Sequence, residues 1–234
     1  MAFQAEKQVV REYYDALDSV EIDGISAVLS DYTAAKYTWR GFHPFHLQVS
    51  SEVVSTLFWQ PFRSAVTHMQ RRMDVFFAGD NFIDEDGSVW VCSMGHLMGL
   101  FDSQWLGIHP TGKMIMFRYA EFHKVLDGKI AETAFYFDIP HFMIQAGYAP
   151  FPDQAAAHFV QPGPATHDGL LFADFDPVEG KKTLDVMHKM ISDLGQWNSG
   201  LPLEEELALS WHDDMIWWGP AGIGATYTIK RYAE

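Results

Sequence analysis

The 234-residue chain has a single cysteine, Cys92, which excludes an intramolecular disulfide and a cysteine-rich zinc site. Cys92 lies in the apolar run SVWVCSMGHLMGLF, where a buried structural thiol is expected. Cationic residues are also scarce: 16 Lys and Arg stand against 31 Asp and Glu, a formal net charge of −15. Phosphate backbones and anionic lipid are recognised by clustered Lys and Arg, so neither nucleic acid nor membrane is an expected partner. No apolar run approaches the roughly 18 residues of a membrane span, and the opening MAFQAEKQVV lacks a basic region followed by an apolar one. A cytoplasmic protein is the expectation.

Several chemical signatures are missing too. There is no nucleophile elbow, phosphate-binding glycine loop or dinucleotide fingerprint, and the GPAGIG at 219–224 reads as a tight structural turn. His43, His46, His96 and His123 do not show the H-E-x-x-H spacing, so neither a metal nor a cofactor is expected.

What is abundant is apolar and aromatic matter, 48% and 15% of the chain, enough for a large core or a deep apolar cavity. Val9, Val10, Tyr13, Tyr14 and Leu17 recur at three- and four-residue spacing, predicting a long amphipathic helix. A shorter helix follows Asp23-Gly24, then a strand in KYTWRGF, then a helix opening at Ser50 or Ser51 that Pro61 interrupts. From about Met73 the period becomes two. Two β-rich runs flank Asp84-Glu85-Asp86-Gly87, and two more flank Asp127-Gly128. Helices followed by an antiparallel meander define an α+β class.

The expected organisation is a domain over 1–150, a Pro/Gly/Ala-rich connector over 151–180, and a third part over 181–234. This last part opens with a second amphipathic helix, KKTLDVMHKMISDLGQW. An offset of 178 residues lays Trp39 on Trp217, Leu29 on Leu207, Gly41 on Gly219, Val9 on Met187 and Tyr13 on Ile191. The third part is therefore expected to be the start of a second, incomplete repeat of the first.

The element order, together with Gly107, Pro110, Thr111, Gly112, Lys113, Asp127, Gly128, Lys129, Ile130, Gln145 and Gly147, resembles the SnoaL-like polyketide-cyclase family of the NTF2-like superfamily. The resemblance covers about residues 5–150 and, more weakly, 181–234. It implies an NTF2-like (cystatin-like) cone, a curved sheet wrapped around helices, which hosts unrelated functions. It also implies an acid/base Asp on the strand after the DGK turn, with a His and a polar residue on the strand before it. Counted without gaps, these positions fall on Phe135, Glu121 and Tyr119, a departure from the family pattern.

Strand alternation places Tyr119, Glu121 and His123 on one face, which the resemblance puts inside the cone. They are the candidate catalytic residues. An aromatic surrounding would raise the pKa of Glu121 by desolvation and suit it to acid/base work. The alternative is a Glu121 that pairs with a buried His or Arg and only organises the pocket. Tyr37, Trp39, Trp59, His96, Trp105, Phe135, Phe137 and His141 are candidates for contact with a flat, small hydrophobic ligand, while Asp138 reads as a helix cap. Two functions remain open. One is acid/base catalysis of cyclisation, isomerisation or hydrolysis on a small hydrophobic carbonyl or ester compound, as in a polyketide-cyclase-like lyase or isomerase. The other is a non-catalytic ligand-binding or dimerisation module, with a homodimer or an intramolecular pseudo-dimer as the assembly.

Overall fold

A computed structural model describes residues 3–82, 86–195 and 200–234. These residues form two compact units, 3–150 with 162–174 and 151–161 with 175–234. Part of the expected connector therefore belongs to the first unit.

In the first unit, α1 (Gln4–Ser19) buries the stripe Val10, Tyr13, Tyr14 and Leu17, as its spacing predicts. Next come α2 (Ile25–Tyr32), β1 (Thr33–Gly41) and the short β2 (Leu47–Val49). The third helical stretch opens on Ser50, whose hydroxyl accepts from Val53 N–H. It is split into α3 (Ser51–Val54), a π-helical turn at Ser55–Trp59, and α4 (Gln60–Ala65), with Pro61 in the first turn of α4. Pro61 has no N–H and its ring crowds the carbonyl one turn back, so the hydrogen-bond ladder widens just ahead of it.

Four long strands follow: β3 (Val66–Asp80), β4 (Val89–Phe101), β5 (Met114–Leu126) and β6 (Lys129–Phe137). The meander starts at Val66, earlier than the change of period near Met73 suggests, because Val66 already pairs with Phe101 across the sheet. In the turn between β3 and β4, Asp84 and Glu85 lie outside the described residues. The turn between β5 and β6 is Asp127-Gly128 with φ 50° and 73°, the left-handed pair a two-residue hairpin requires.

The sheet order is β2-β1-β6-β5-β4-β3, with β1 parallel to β6 and every other pairing antiparallel. Bulges in β3 at Thr67/Gln70 and Met73/Val75 bend the sheet against β4. Gly95 faces one bend, where a Cβ would sit 2.0 Å from the Arg72 carbonyl oxygen. Asp138 then caps α5 (Ile139–Gln145), accepting from His141 N–H at 2.9 Å, as expected.

The concave face is filled with rings. Trp39, Phe58, Phe62, Trp105, Phe117, Phe135, Phe137 and Phe142 are all buried, with centroids about 5–6 Å apart, for example Phe62 to Trp105 at 5.1 Å. Segment 162–174 closes the seam between β3 and α1. Phe76 and residues 169–171 exchange backbone hydrogen bonds, and Phe172 lies on Phe76 at 5.2 Å with the Arg11 guanidinium 4.6 Å over its ring.

The second unit contains α6 (Pro177–Gly195), α7 (Leu203–Leu207), the strands β7 (Ile216–Trp217) and β8 (Thr226–Tyr227), and α8 (Ile229–Ala233). Gln196 and Trp197, expected at the end of its first helix, lie outside the described residues. The 219–224 segment is the turn joining β7 to β8.

Candidate functional site

Inward-facing positions of β5 carry Tyr119, Glu121 and His123, all essentially unexposed. The sequence-predicted trio is thus on one face, and the structure adds partners from four other elements. Tyr14 of α1 donates its hydroxyl to Glu121 Oε2 at 2.8 Å and lies 3.0 Å from His123 Nε2. Arg71 of β3 reaches Glu121 Oε2 at 3.3 Å and Asp18 of α1 at 3.1 Å. Its guanidinium carbon stands 3.8 Å over the Tyr14 ring and 5.3 Å from that of Tyr119. Thr133 of β6 meets His123 Nδ1 at 2.9 Å, and Ser93 of β4 meets the Tyr119 hydroxyl at 2.9 Å. The result is one buried chain running Thr133, His123, Tyr14, Glu121, Arg71, Asp18.

The electrostatics correct one expectation. Burial does push the Glu121 carboxyl toward its neutral form, but His123, Arg71 and the Tyr14 hydroxyl outweigh it, and the pKa lies below the ordinary carboxylate value. Glu121 is therefore a held anion, and the pairing with a buried His and Arg is present. Burial raises the phenols of Tyr13 and Tyr14 well above their usual value, with the Glu121 charge adding to it. Desolvation opposes the charge on Arg71, but Asp18, Tyr119, Tyr14 and Glu121 outweigh it and the guanidinium stays charged.

Four polar atoms in this interior have no hydrogen-bond partner: Glu121 Oε1, Ser55 Oγ and the indole nitrogens of Trp39 and Trp105. Each such group costs about 1–3 kcal/mol when buried unsatisfied. Trp39 and Trp105 both pack on Phe45 and Phe58, so the two N–H donors lie in one aromatic cluster, while Glu121 stands opposite Phe135, which also packs on Trp39.

The remaining candidates fall into two groups. Tyr37, Trp39, Trp59, Trp105, Phe135 and Phe137 are inside, where Phe135 stacks on Trp59 at 5.7 Å and 17°. His96 does not share that face. It pairs with Arg118, whereas the inward Gly95 pairs with Tyr119, so alternation sends His96 to the outer side. There its Nδ1 stands 3.6 Å from Asp74, and burial lowers its pKa against the pull of that carboxylate. His141, in the first turn of α5, has Nδ1 3.2 Å from the Gln145 amide and interacts with His96. Also on the outer face, Trp90, Phe122 and Tyr136 wall a shallow groove of about 490 Å³ floored by Ala120 and Ala134. Among the described residues, no three His, Cys, Asp or Glu side chains are placed to hold a metal ion, and no helix is long and apolar enough to cross a membrane.

Sequence reasoning missed Tyr14, Asp18, Arg71, Ser93 and Thr133. Arg71 precedes the region where strand alternation is evident, and Tyr14 is indistinguishable in spacing from the apolar stripe it belongs to.

The first unit is an α+β fold: a curved, unclosed sheet with helices on its concave face and an acidic–cationic network at the centre. Solved structures similar to the chain include a candidate SnoaL-like polyketide cyclase from Jannaschia sp. CCS1, at 17% identity and a TM-score of 0.48, over 63% of this chain and 94% of that one. An NTF2-like protein from Burkholderia thailandensis E264 is similar at 18% identity and a TM-score of 0.45, over 61% and 97%. No protein-family model matches the chain, and no curated protein sequence does. Likeness of this grade concerns the path of the chain and transfers no residue roles.

Proposed function

We propose that the cone binds a small hydrophobic carbonyl or ester compound and uses the Tyr14–Glu121–His123 network to move a proton on it. The observation that carries this reading is the set of unpartnered polar atoms among the buried rings and the network beside them. Indole N–H groups of Trp39 and Trp105 suit a carbonyl oxygen, and Glu121 Oε1 is an acceptor for a proton adjacent to that carbonyl. In this role Glu121 is the base, kept ionised by Arg71, and His123 is the neighbouring group able to relay the proton through Tyr14. Aromatic walls exclude water and favour a flat ligand.

The test is hydrogen–deuterium exchange at the carbon next to the carbonyl in a panel of aromatic ketones and β-dicarbonyl compounds, followed by NMR. Protein-accelerated exchange that disappears in Glu121→Gln supports the assignment. Exchange that persists in Glu121→Gln removes Glu121 as the base.

A second reading is favoured by Phe135. Where the resemblance expects a catalytic Asp, this ring packs against Trp39, Phe58 and Trp59. In a non-catalytic receptor the network would only orient a bound compound. Saturable binding without exchange at any pH from 5 to 9 would favour it.

A further inference from the structure

Glu121 is held by one of its two oxygens. Oε2 accepts from the Tyr14 hydroxyl at 2.8 Å and from Arg71 Nη1 at 3.3 Å, and His123 Nε2 stands 3.5 Å from the same atom. Oε1, buried as well, has no hydrogen-bond partner among the described residues. A guanidinium beside a carboxylate can satisfy both oxygens at once, through two parallel N–H groups. Arg71 does not take that geometry, although leaving a buried carboxylate oxygen bare is unfavourable. Another group therefore holds its fork.

That group is Asp18. Arg71 Nε and Nη2, the donors along one edge of the guanidinium, go to Asp18 Oδ2 at 3.1 Å and Oδ1 at 3.4 Å. The other edge, Nη1 with Nη2, is thereby split: Nη2 faces Asp18, and Nη1 alone reaches Glu121. The surrounding rings do not impose this. The guanidinium carbon lies 3.8 Å over the Tyr14 ring, 5.3 Å from that of Tyr119 and 5.8 Å from that of Trp59. Stacking fixes where the planar group lies but not its rotation within its own plane. The Tyr119 hydroxyl also bonds Arg71, but a single oxygen sets no edge. The two oxygens of Asp18 do.

Asp18 is misplaced for its own helix. It stands in the last turn of α1, where the carbonyl end of the helix disfavours a carboxylate. The cation which that end favours comes from Arg63, whose Nη1 and Nη2 reach the Leu17 and Val20 carbonyls at 2.7 and 3.1 Å. Tyr14 and Asp18 are four residues apart on one face of α1, so the helix presents a donor to Glu121 and an acceptor to Arg71 together.

We propose that Asp18 is the positioning residue of the candidate base: by holding the Nε/Nη2 edge of Arg71, it keeps the cation on Oε2 and leaves Oε1 open to a substrate proton. This rests on the reading of Glu121 as the base. Without Asp18, the guanidinium turns its Nη1/Nη2 edge onto Glu121, and Oε1 is occupied by a donor that competes with the substrate.

The test is Asp18→Ala, alone and combined with Arg71→Lys. The Asp18 side chain is 22% exposed, so its removal admits water rather than leaving a sealed void. Crystal structures of the unmodified protein and of Asp18→Ala report the contact without any substrate. Oε1 is expected to be free of protein donors in the first and within about 3.2 Å of an Arg71 nitrogen in the second. An Oε1 that stays free in Asp18→Ala overturns the proposal. Deuterium exchange of the β-dicarbonyl compounds reports the consequence. Its rate at saturation should fall at least about tenfold in Asp18→Ala, with the half-saturating concentration within about threefold of the original. Lysine carries a point charge that cannot bridge both oxygens, so adding Arg71→Lys should recover at least about threefold of the lost rate. Structural damage would accumulate instead, and a double variant slower than Asp18→Ala overturns the proposal. If the unmodified protein shows no exchange, the assignment of Glu121 as the base falls; what Asp18 does to Arg71 is still decided by the crystal structures.

Discussion

Replacing Arg71 with Met keeps most of the side chain's length and removes its charge, leaving the Glu121 carboxylate in the cone without its cation. Arg71 and Glu121 side chains are 2% and 1% exposed, so solvent does little to compensate the loss. Removing one partner of a buried pair costs about 3–5 kcal/mol, and the guanidinium stacked on Tyr14 contributes within that range. Asp18, at 22% exposure, rehydrates and adds little. The pH dependence follows from the direction of the Glu121 shift. A carboxyl whose folded pKa is depressed stabilises the fold above its unfolded pKa of about 4.3, and that stability is lost as pH falls through the folded value. In the Arg71→Met variant, burial raises the carboxyl with one opposing group fewer; His123 and Tyr14 remain. The deficit relative to the unmodified protein is therefore largest at pH 7–8 and shrinks below about pH 4. Denaturant unfolding, read by the exchange of β5 amides so that the cone alone is followed, measures it at each pH. Combining Arg71→Met with Glu121→Gln should recover at least about 1 kcal/mol relative to the sum of the single changes. A cost under about 1 kcal/mol that is flat from pH 4 to 8, with additive single changes, would refute the charge-balance reasoning.

Burial pushes the Cys92 thiol up to about 12, so native protein at pH 8 should react with a disulfide reagent at least a hundredfold more slowly than protein in denaturant; equal rates would place the thiol at the surface. Asp138→Ala removes the α5 cap and a partner of Arg118 and should cost about 1–2 kcal/mol, measured by thermal unfolding. Phe135→Asp restores the residue type that the family resemblance implies, yet it takes a ring from between Trp59 and Phe58 and adds a carboxylate beside Glu121. It should lose at least about 4 kcal/mol, and any proton exchange it keeps should vanish in Phe135→Asp with Glu121→Gln; exchange that survives the second change would show the new Asp acting in place of Glu121.

The parts of the fold legible in the sequence were those encoded by period and punctuation. The α1 stripe, the Asp127-Gly128 hairpin, the Ser50 opening and the Asp138 cap each follow from local rules and stand where those rules put them. Facing was also legible within β5, since alternation alone groups Tyr119, Glu121 and His123. It failed for His96 because the phase of β4 relative to β5 is a property of the pairing register, which no single strand contains. The Glu121 pKa was misjudged for the same kind of reason. Desolvation can be guessed from an aromatic neighbourhood, but Arg71 lies 50 residues away in sequence and reaches Glu121 only after β3 bends across β4.

The two departures from the family pattern are connected by the sheet. Glu121 and Phe135 are direct partners across β5 and β6, so the position where the resemblance expects an Asp and the position where this chain has its carboxylate stand side by side on one face. One step along β5 on that face is His123, opposite Thr133. Glu121 and His123 thus stand together on β5, beside the place where the resemblance expects an Asp, and that placement of the carboxylate accounts for its neighbours. On β5 the carboxylate comes within reach of α1 and β3, where Tyr14 and Arg71 hold it as an anion. The facing place on β6 is filled by the Phe135 ring, which joins the Trp39–Phe58–Trp59 stack. An anion with a depressed pKa is a weaker base than a desolvated carboxyl, so the proton transfer we propose would depend on removing water and aligning the acceptor more than on basicity. The rings beside Glu121, Phe135 opposite it on β6 and Tyr14 bonded to it at 2.8 Å, would exclude that water.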